Sequence, residues 1–335
     1  MRYEKLGRSS LTVSRLCLGT MQFGGRTSAS DSAAIIDRAR GSGINFIDTA
    51  DAYNDGVSEE ITGSAVRARR QDWIVATKVG NGPFEPPNRR GSSRHWVLEA
   101  CEASLARLGL DHIDIYYLHR EDLDTDMAET VRALGDLIRA GKVRYFGLSN
   151  FRSWRVAEIC NLCDRLNVDR PIVSQPYYNA LNRMPEVEHL PACGHYGLGV
   201  FPYSPMARGV LTAKYRPGEA PAADSRAGVA DARMMVSEWR EGSLVIARKI
   251  KDHAEARGTT PGRFAVAWVL ANRFVTGAII GPRTLEHLEA ALGAEDFAFS
   301  AEDEAFIDTL VPVGHPSTPG YTDPEYPIEG RVLRG

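Results

Sequence analysis

The feature that most constrains the fold of this chain is a repeated unit, in which a short apolar run of β-forming residues precedes an amphipathic helical stretch. Most of the apolar runs are continuously hydrophobic, as is typical of parallel strands that are buried on both faces. About eight such alternations predict an α/β fold, the closed parallel (β/α)8 or TIM barrel. The predicted strands cover residues 16–19, 44–48, 73–77, 113–118, 143–148, 172–174, 198–201 and 276–280.

An open doubly wound sheet is the alternative arrangement of the same elements. Such a sheet usually carries a G-x-G-x-x-G turn after its first strand. This chain reads G-T-M-Q-F-G-G at 19–25, so the barrel is favoured. We predict that Asp31 and Ser58 cap helix N-termini and that Gly109 and Gly141 end helices. The predicted helices cover residues 31–41, 58–69, 93–107, 127–140, 153–166, 184–195, 241–257, 261–272 and 301–310.

One interval of the chain is much longer than the others, because about 75 residues separate the seventh and eighth predicted strands. A long insertion on the catalytic face of a barrel is often a lid or a ligand clasp, and a disordered surface loop is the alternative. We expect one domain over 1–335, with a long loop at about 203–240 and a C-terminal tail at about 312–335.

The charge balance and the cysteine content indicate where such a chain works. The net charge of −3 favours neither a nucleic-acid nor an anionic-membrane partner. The first ten residues are too charged for a signal peptide, and no apolar run reaches the length of a membrane span. Five cysteines in 335 residues do not form a disulfide framework. We expect a cytoplasmic protein, and the sequence leaves its oligomeric state open.

Four polar side chains lie at or just beyond the ends of predicted strands, where a barrel builds its active site. They are Asp48, Tyr53, Lys78 and His119. A free tyrosine has a pKa of about 10, and a nearby ammonium such as Lys78 is expected to lower it. Asp48 can pair with the ammonium, and His119 can orient a carbonyl group. The set predicts a proton donor for a carbonyl oxygen, with support for the developing alkoxide.

Longer motifs around these residues resemble the aldo-keto reductases. They are F-I-D-T-A-D-A-Y-N-D-G-V-S-E-E-I-T-G at 46–63, Y-Y-L-H-R at 116–120, G-K-V-R-Y-F-G-L-S-N-F at 141–151, S-Q-P-Y-Y-N at 174–179 and Y-S-P-M-A-R-G-V-L-T-A-K-Y at 203–215. The resemblance covers nearly the whole chain, and its motifs come in the family's order. The long loop is more similar to the bacterial and channel-β-subunit-like branch than to the mammalian aldose reductase branch.

The resemblance implies a function and a cofactor. Tyr53 would be the general acid in the reversible reduction of an aldehyde or ketone, with NADPH bound in an extended pose across the barrel mouth. Three polar side chains would hold the nicotinamide amide, and Tyr203 would stack on its ring. The implied cofactor-binding residues are Thr20, Met21, Ser149, Asn150, Gln175, Tyr203, Ser204, Pro205, Met206, Gly209, Leu211, Lys214, Gly281, Arg283 and His287.

The adenosine end of the implied cofactor site departs from the family pattern. Arg283 stands where a 2′-phosphate contact is expected, and Lys214 could add a second charge. His287 replaces the usual Gln, and Ala290 and Ala291 replace a usual Glu-Asn pair. Arg283 and Lys214 favour NADPH over NADH, and the three replacements predict that adenine is bound more weakly than is usual in the family.

The substrate is a small carbonyl or alcohol compound whose identity the sequence leaves open. Phe23, Phe84 and Trp239, with Tyr53, could form an aromatic wall suited to bulky apolar or aromatic carbonyls, while sugars and pyridoxal-type aldehydes remain alternatives. No metal is expected, because the Cys160-x-x-Cys163 pair has no second half-site. Two other functions stay open: a slowly turning NADP(H)-sensing regulatory subunit, and an isomerase or aldolase that uses Lys78 as a Schiff-base amine.

Overall fold

The computed structural model describes residues 1–81 and 87–327. A two-stranded antiparallel hairpin comes first, formed by β1 (Tyr3–Lys5) and β2 (Thr12–Ser14). Eight parallel strands follow and make one sheet. They are β3 (Leu16–Gly19), β4 (Phe46–Asp48), β5 (Ile74–Val79), β6 (Ile113–Leu118), β7 (Val143–Ser149), β8 (Val173–Gln175), β9 (Gly199–Val200) and β10 (Ala278–Ile280).

The eight strands close on themselves. They are ordered β10, β3, β4, β5, β6, β7, β8, β9, so that only the junction between β9 and β10 lacks a ladder. Backbone hydrogen bonds cross that junction: the N–H of Ile279 donates to the carbonyl of Pro202 at 3.0 Å, and the N–H of Thr276 donates to Val200 at 2.9 Å. The predicted (β/α)8 barrel is confirmed, and the open doubly wound sheet is not formed.

Helices follow the barrel strands. None of those in 1–81 and 87–327 is long and apolar enough to cross a bilayer. The predicted helix at 184–195 is divided into a 3-10 turn, Met184–Glu186, and a separate α-helix. The helices are α1 (Ala29–Gly41), α2 (Val57–Val66), α3 (Arg94–Leu108), α4 (Met127–Arg139), α5 (Ser153–Leu166), α6 (His189–Tyr196), α7 (Ala232–Ser237), α8 (Glu241–Ala256), α9 (Pro261–Ala271), α10 (Leu285–Ala291) and α11 (Ala301–Leu310).

The helix ends correct two of the predicted caps. The side chain of Ser28, not Asp31, caps α1, and it accepts from the N–H of Asp31 in the first turn. Gly56 precedes α2, so Ser58 lies inside the helix. Gly109 ends α3 with the left-handed φ of 62° that glycine adopts readily. The prediction failed at α1 because the Ser28 hydroxyl precedes the helix, and at α2 because the helix begins one residue before Ser58.

The N-terminal hairpin plugs the lower end of the barrel. A compact apolar cluster joins Leu6 and Val13 of the hairpin to inward-facing barrel residues such as Phe46 and Phe201, whose rings meet edge to face at 5.0 Å. Gly7 makes the close approach possible, since a Cβ there would lie 2.4 Å from the carbonyl oxygen of Ile172. The opposite end of the barrel, where the strands finish, stays open to form a site.

Two segments cover that open end. The clasp loop, residues 203–240, crosses it after β9, and the carbonyl of Asp224 accepts hydrogen bonds from Arg26 and Arg283 on the far side. The tail strap, residues 316–327, returns from α11 and reaches the same end, where Arg152 donates to the carbonyl of Pro327 at 2.9 Å. The long loop is therefore folded against the barrel mouth. The assignment of 1–335 to one domain stays a prediction.

Candidate active site

Strand ends bring the four predicted catalytic side chains together. Asp48 ends β4, Lys78 lies in β5, and His119 follows β6. The Lys78 ammonium donates to Asp48 Oδ2 at 2.5 Å, to the carbonyl of Thr49 at 2.7 Å and to Tyr53 Oη at 3.3 Å. Three acceptors satisfy the three protons of an ammonium, which fixes Lys78 beneath the tyrosine hydroxyl.

His119 stands beside the tyrosine rather than beneath it. The rings of Tyr53 and His119 are nearly perpendicular, with centroids 5.7 Å apart. The N–H of His119 is anchored to the carbonyl of Val79 at 2.8 Å, and its own carbonyl accepts from Asn150 at 2.9 Å. The imidazole Nδ1 is buried and has no hydrogen-bond partner among the described residues. This arrangement leaves the imidazole to contact whatever enters between the two rings.

The charges of the site correct one expectation. Burial raises the pKa of Tyr53 above its usual value of 10, and this effect exceeds the lowering by the Lys78 ammonium. Tyr53 therefore keeps its proton near neutral pH, as a proton donor must. Burial lowers the pKa of Lys78, but the charge of Asp48 and the contacts with Tyr53 raise it by more, so the net direction is upward. Lys78 remains a cation under the same conditions.

His119 carries no charge in this site. Burial, followed by the charges of Lys78 and Arg120, holds the pKa of His119 well below its ordinary value of 6.5. A neutral imidazole donates one hydrogen bond without giving up a proton. The geometry thus separates two roles: Tyr53 holds the transferable proton, and His119 can orient an oxygen atom.

A cavity of about 520 Å³ extends from these side chains beneath the clasp loop. Its walls include most of the predicted cofactor contacts, drawn from the ends of several strands. Those that line it are Met21, Ser149, Asn150, Gln175, Tyr203, Ser204, Pro205, Met206, Gly209, Lys214, Gly281, Arg283 and His287.

Two predicted cofactor residues do not line this cavity. The side chain of Thr20 is fully buried and lies 2.8 Å from the hydroxyl of Ser58, so it joins α2 to β3. Leu211 is also fully buried, within the apolar core behind the clasp loop. The side chains of both residues point away from the cavity, because neighbouring residues along the chain point in opposite directions, and their role in binding a cofactor stays a prediction.

The structure does not bring the predicted aromatic residues together at the cavity. Phe23 is fully buried in the core rather than facing the cavity. Trp239 packs edge-on against Tyr215, with ring centroids 5.2 Å apart, and does not line the cavity. Phe84 lies outside the described residues. Tyr326 of the tail strap supplies an aromatic surface that the sequence reading missed.

The nicotinamide corner implied by the resemblance is a connected polar network. Tyr203 Oη donates to Asn150 Oδ1 at 2.8 Å, and Gln175 Nε2 donates to Asp48 Oδ1 at 3.0 Å. Ser149 Oγ donates to the carbonyl of Gln175 at 2.9 Å. Amide and hydroxyl groups at the cavity edge match the donors and acceptors of a carboxamide, and the ring of Tyr203 matches a flat heterocycle. The residues present therefore fit a nicotinamide.

The other end of the cavity fits an anion. Arg26 and Arg226, which were not predicted, line the cavity with Lys214 and Arg283, while Arg208 and Arg233, also not predicted, line it nearer Tyr203. Gly209 has a φ of 96°, and a Cβ there would meet the end of the Lys214 side chain at 3.3 Å. A backbone without a Cβ beside cations is suited to phosphate. Arg208, Arg226 and Arg233 lie in the predicted long loop, whereas Arg26 lies between β3 and α1.

The comparisons with known proteins agree with this geometry. The model of the aldo/keto reductase family matches residues 15–312. The chain belongs to the aldo/keto reductase family. It is an oxidoreductase of the class that acts on carbonyl groups, and the resemblance described from the sequence is confirmed.

Relatives of this aldo/keto reductase carry different kinds of name. A probable voltage-gated potassium channel subunit beta of Arabidopsis thaliana is 36% identical over 307 residues, which cover 88% of this chain and 92% of the relative. YrpG, an uncharacterized oxidoreductase of Bacillus subtilis, is 36% identical over 330 residues, 95% of this chain and 98% of the relative. A versiconal hemiacetal acetate reductase of Aspergillus parasiticus is 30% identical over 334 residues, 92% of this chain and 96% of the relative.

No cluster of three or more potential metal ligands occurs in 1–81 and 87–327. All five cysteines are free and buried, Cys160 and Cys163 among them. Burial raises the pKa of Cys160 to about 11 and of Cys163 to about 12, so both thiols stay protonated.

An acid beside the reductase tetrad makes stability depend on pH. Burial, then the charge of Glu59, raises the pKa of Asp51 to about 7, and its Oδ1 has no hydrogen-bond partner in the described part of the chain. Between the ordinary value near 4 and about 7, the folded protein binds the extra proton, so stability falls as pH rises. We expect Asp51→Asn to stabilise the protein by roughly 1–3 kcal/mol at pH 8 and by less at pH 5.

Urea unfolding at the two pH values measures this effect. Asp37→Asn serves as the control, because the side chain of Asp37 is 76% exposed on α1. An equal gain from Asp51→Asn at pH 5 and pH 8 would contradict the assignment of the titrating proton to Asp51.

Proposed function

We propose that this aldo/keto reductase reduces an aldehyde or ketone to an alcohol with NADPH, reversibly, and that it works in the cytoplasm. The observation that carries the proposal is the buried Lys78 ammonium, which contacts both Asp48 and the Tyr53 hydroxyl in the wall of a cation-lined cavity. An oxidoreductase named as a relative supports the reaction class.

The chain's own residues divide the work of the reaction. Reduced nicotinamide, when bound, supplies the hydride that reaches the carbonyl carbon. Tyr53 gives its proton to the carbonyl oxygen, and Lys78 stabilises the phenolate that remains. Asp48 keeps Lys78 charged and fixed in place. His119, neutral, donates a hydrogen bond that holds the carbonyl oxygen near Tyr53.

The cofactor end favours NADPH over NADH. Lys214, Arg283 and His287 line the cavity near the clasp loop, and Arg283 also holds the carbonyl of Asp224 at 3.2 Å. A guanidinium can bind the 2′-phosphate that NADPH carries and NADH lacks. His287 remains neutral because burial, with the charges of Lys214 and Arg283, lowers its pKa.

We expect Arg283→Ala to raise the KM for NADPH about tenfold or more, with a much smaller change for NADH, because a charge-assisted phosphate contact is lost. Steady-state kinetics with each cofactor measure the ratio. Arg216→Ala is the matched control, since Arg216 lies on the clasp loop and its side chain is 60% exposed. An equal rise in KM for NADPH and for NADH would show that Arg283 does not bind the 2′-phosphate.

The direct test of the proposal is consumption of NADPH, followed at 340 nm, with a panel of aldehydes and ketones. The panel should include aromatic, sugar-like and pyridoxal-type carbonyls beside simple aliphatic ones. Turnover with any member and not without it supports the reductase. Tight NADPH binding, seen by fluorescence, with no turnover across the panel would count against it.

A second candidate function follows from the names of relatives. Plant relatives at 36% and 37% identity are named probable subunits of potassium channels. On that basis the chain could be a slowly turning NADP(H)-sensing subunit, and the same binding-without-turnover result would favour this role. The Schiff-base alternative is disfavoured, because Lys78 is fully buried as a charged partner of Asp48.

A further inference from the structure

The clasp loop and the tail strap, which together cover the cavity, are tied to each other by one arginine. Arg233 of the clasp loop donates through both terminal nitrogens to the carboxylate of Asp323, with Nη1 at 2.7 Å from Oδ1. Its Nε lies 3.5 Å from Glu325. The side chains of Arg233 and Asp323 are only 19% and 12% exposed. A forked, partly buried pair holds its geometry far better than an exposed ion pair.

A second arginine of the clasp loop, Arg240, contacts the tail strap at residues that precede Asp323. The guanidinium of Arg240 stacks over the ring of Tyr321 at 3.8 Å from its centroid, and its Nε donates to Thr318 at 2.9 Å. The hydroxyl of Tyr321 donates to the carbonyl of Val236 at 2.9 Å. Two arginines of the clasp loop thus grip one continuous stretch of the strap.

Residues at this junction of the clasp loop and the tail strap also line the catalytic cavity. Arg233, Glu325 and Tyr326 line it together with His119 and Tyr203. The ring of Tyr326 lies 5.9 Å from the Arg233 guanidinium. The strap is therefore a wall of the cavity, and the clasp loop holds this wall in place.

The far end of the clasp loop is fixed independently. Arg26 and Arg283, which lie outside the clasp loop, both donate to the carbonyl of Asp224. A ligand lying beneath the loop is enclosed between these two attachments. Both attachments hold the clasp loop over the cavity, so loss of either one would leave part of the loop free to move away from a ligand beneath it.

We propose that Arg233 is a positioning residue that couples cofactor release to the tail: its pair with Asp323 makes the clasp loop and the tail strap open and close as one unit. The inference rests on the proposed binding of NADPH in the groove. It implies that a residue remote from the cofactor, Asp323, controls how long the cofactor stays bound. It also implies that the tail strap, which forms one wall of the cavity, and the clasp loop, which covers the cofactor groove, take up their closed positions together.

The test is the dissociation rate of NADPH from the full chain, without any carbonyl present. Stopped-flow fluorescence after mixing the NADPH complex with excess NADP⁺ gives this rate directly. Asp323→Asn keeps the side-chain shape and removes its charge. We expect it to release NADPH at least about tenfold faster, since a forked charge-assisted pair is lost. Asp323→Glu, which keeps the charge, is expected to recover part of the slow release.

The matched control is Glu219→Gln, which removes an acid from another arginine pair of the clasp loop, with both side chains about 60% exposed. It should leave the rate unchanged. A merely structural role for Asp323 would lower the melting temperature and leave the dissociation rate as in the wild type, and that outcome overturns the proposal. The KM for a carbonyl substrate should rise in Asp323→Asn by a larger factor than kcat changes.

Arg240→Met provides an independent readout should Asp323→Asn fold poorly. It cuts the second tie and leaves the Arg233 pair intact, so we expect a smaller acceleration of release. An unchanged rate in a folded Arg240→Met protein would contradict the coupling. Failure of the wild-type protein to bind NADPH would instead contradict the proposed function. That outcome is therefore distinguishable from a failure of the proposed coupling.

Discussion

Replacing Tyr53 by Phe is expected to reduce kcat for carbonyl reduction by a factor of about a thousand or more, within or above the usual range for losing a general acid. The ring keeps its place between Lys78 and His119, and only the hydroxyl is lost. NADPH should still bind, because the cation-lined end of the cavity is untouched. Absorbance at 340 nm with the best panel substrate measures the rate, and fluorescence measures binding.

Tyr196→Phe is the control for this substitution. Tyr196 ends α6, at the opposite end of the barrel from the tetrad. It should retain the wild-type rate. A Tyr53→Phe protein with normal turnover would mean that the proton comes from another group and would remove the proposed mechanism. Because burial holds the pKa of Tyr53 above 10, the wild-type reduction rate should not fall between pH 7 and 9 through loss of this proton.

Replacing Lys78 by Met is expected to have the largest effect on stability. The ammonium is fully buried, and its loss leaves the Asp48 carboxylate buried with Gln175 as a remaining hydrogen-bond donor. Removing one partner of a buried ion pair typically costs about 3–5 kcal/mol. Activity should be lost as well, because the phenolate of Tyr53 loses its cation. Urea unfolding followed by fluorescence measures the first effect.

The double variant Asp48→Asn/Lys78→Met separates stability from chemistry. Neutralising Asp48 removes the uncompensated charge, so the double variant should be more stable than Lys78→Met alone. It should remain inactive, since neither substitution restores a cation beneath Tyr53. Equal stability of the single and double variants would show that the charge of Asp48 is not the source of the loss.

The sequence predicted the barrel and the positions of its chemistry because both depend on local pattern. Apolar runs mark the strands, and parallel strands carry their C-terminal residues to one end, so Asp48, Lys78 and His119 had to meet there. Side chains in the connecting loops follow no regular pattern that would predict which way they point. Phe23 and Trp239 therefore turned into packed positions although the sequence placed them at the cavity.

Two other features depended on long-range structure. The direction of the Tyr53 pKa was set by burial, which a list of neighbouring charges does not contain. The contact between Arg233 and Asp323 joins residues 90 positions apart, Arg233 in the short helix α7 and Asp323 in a segment without a helix or strand. Nothing in the local sequence around Asp323 identifies its partner.

Closure of the barrel has a consequence for how this chain is made. The strand that starts the sheet, β3, pairs with the strand that completes it, β10, and the hairpin ahead of β3 packs beneath β8 and β9. On a ribosome the first half of the sheet waits, with one edge unpaired, until almost the whole chain has emerged. Unpaired strand edges invite association with other chains, and such non-local pairing forms slowly. Nascent chains that stop before residue 278 should therefore be the species that chaperones hold and proteases remove.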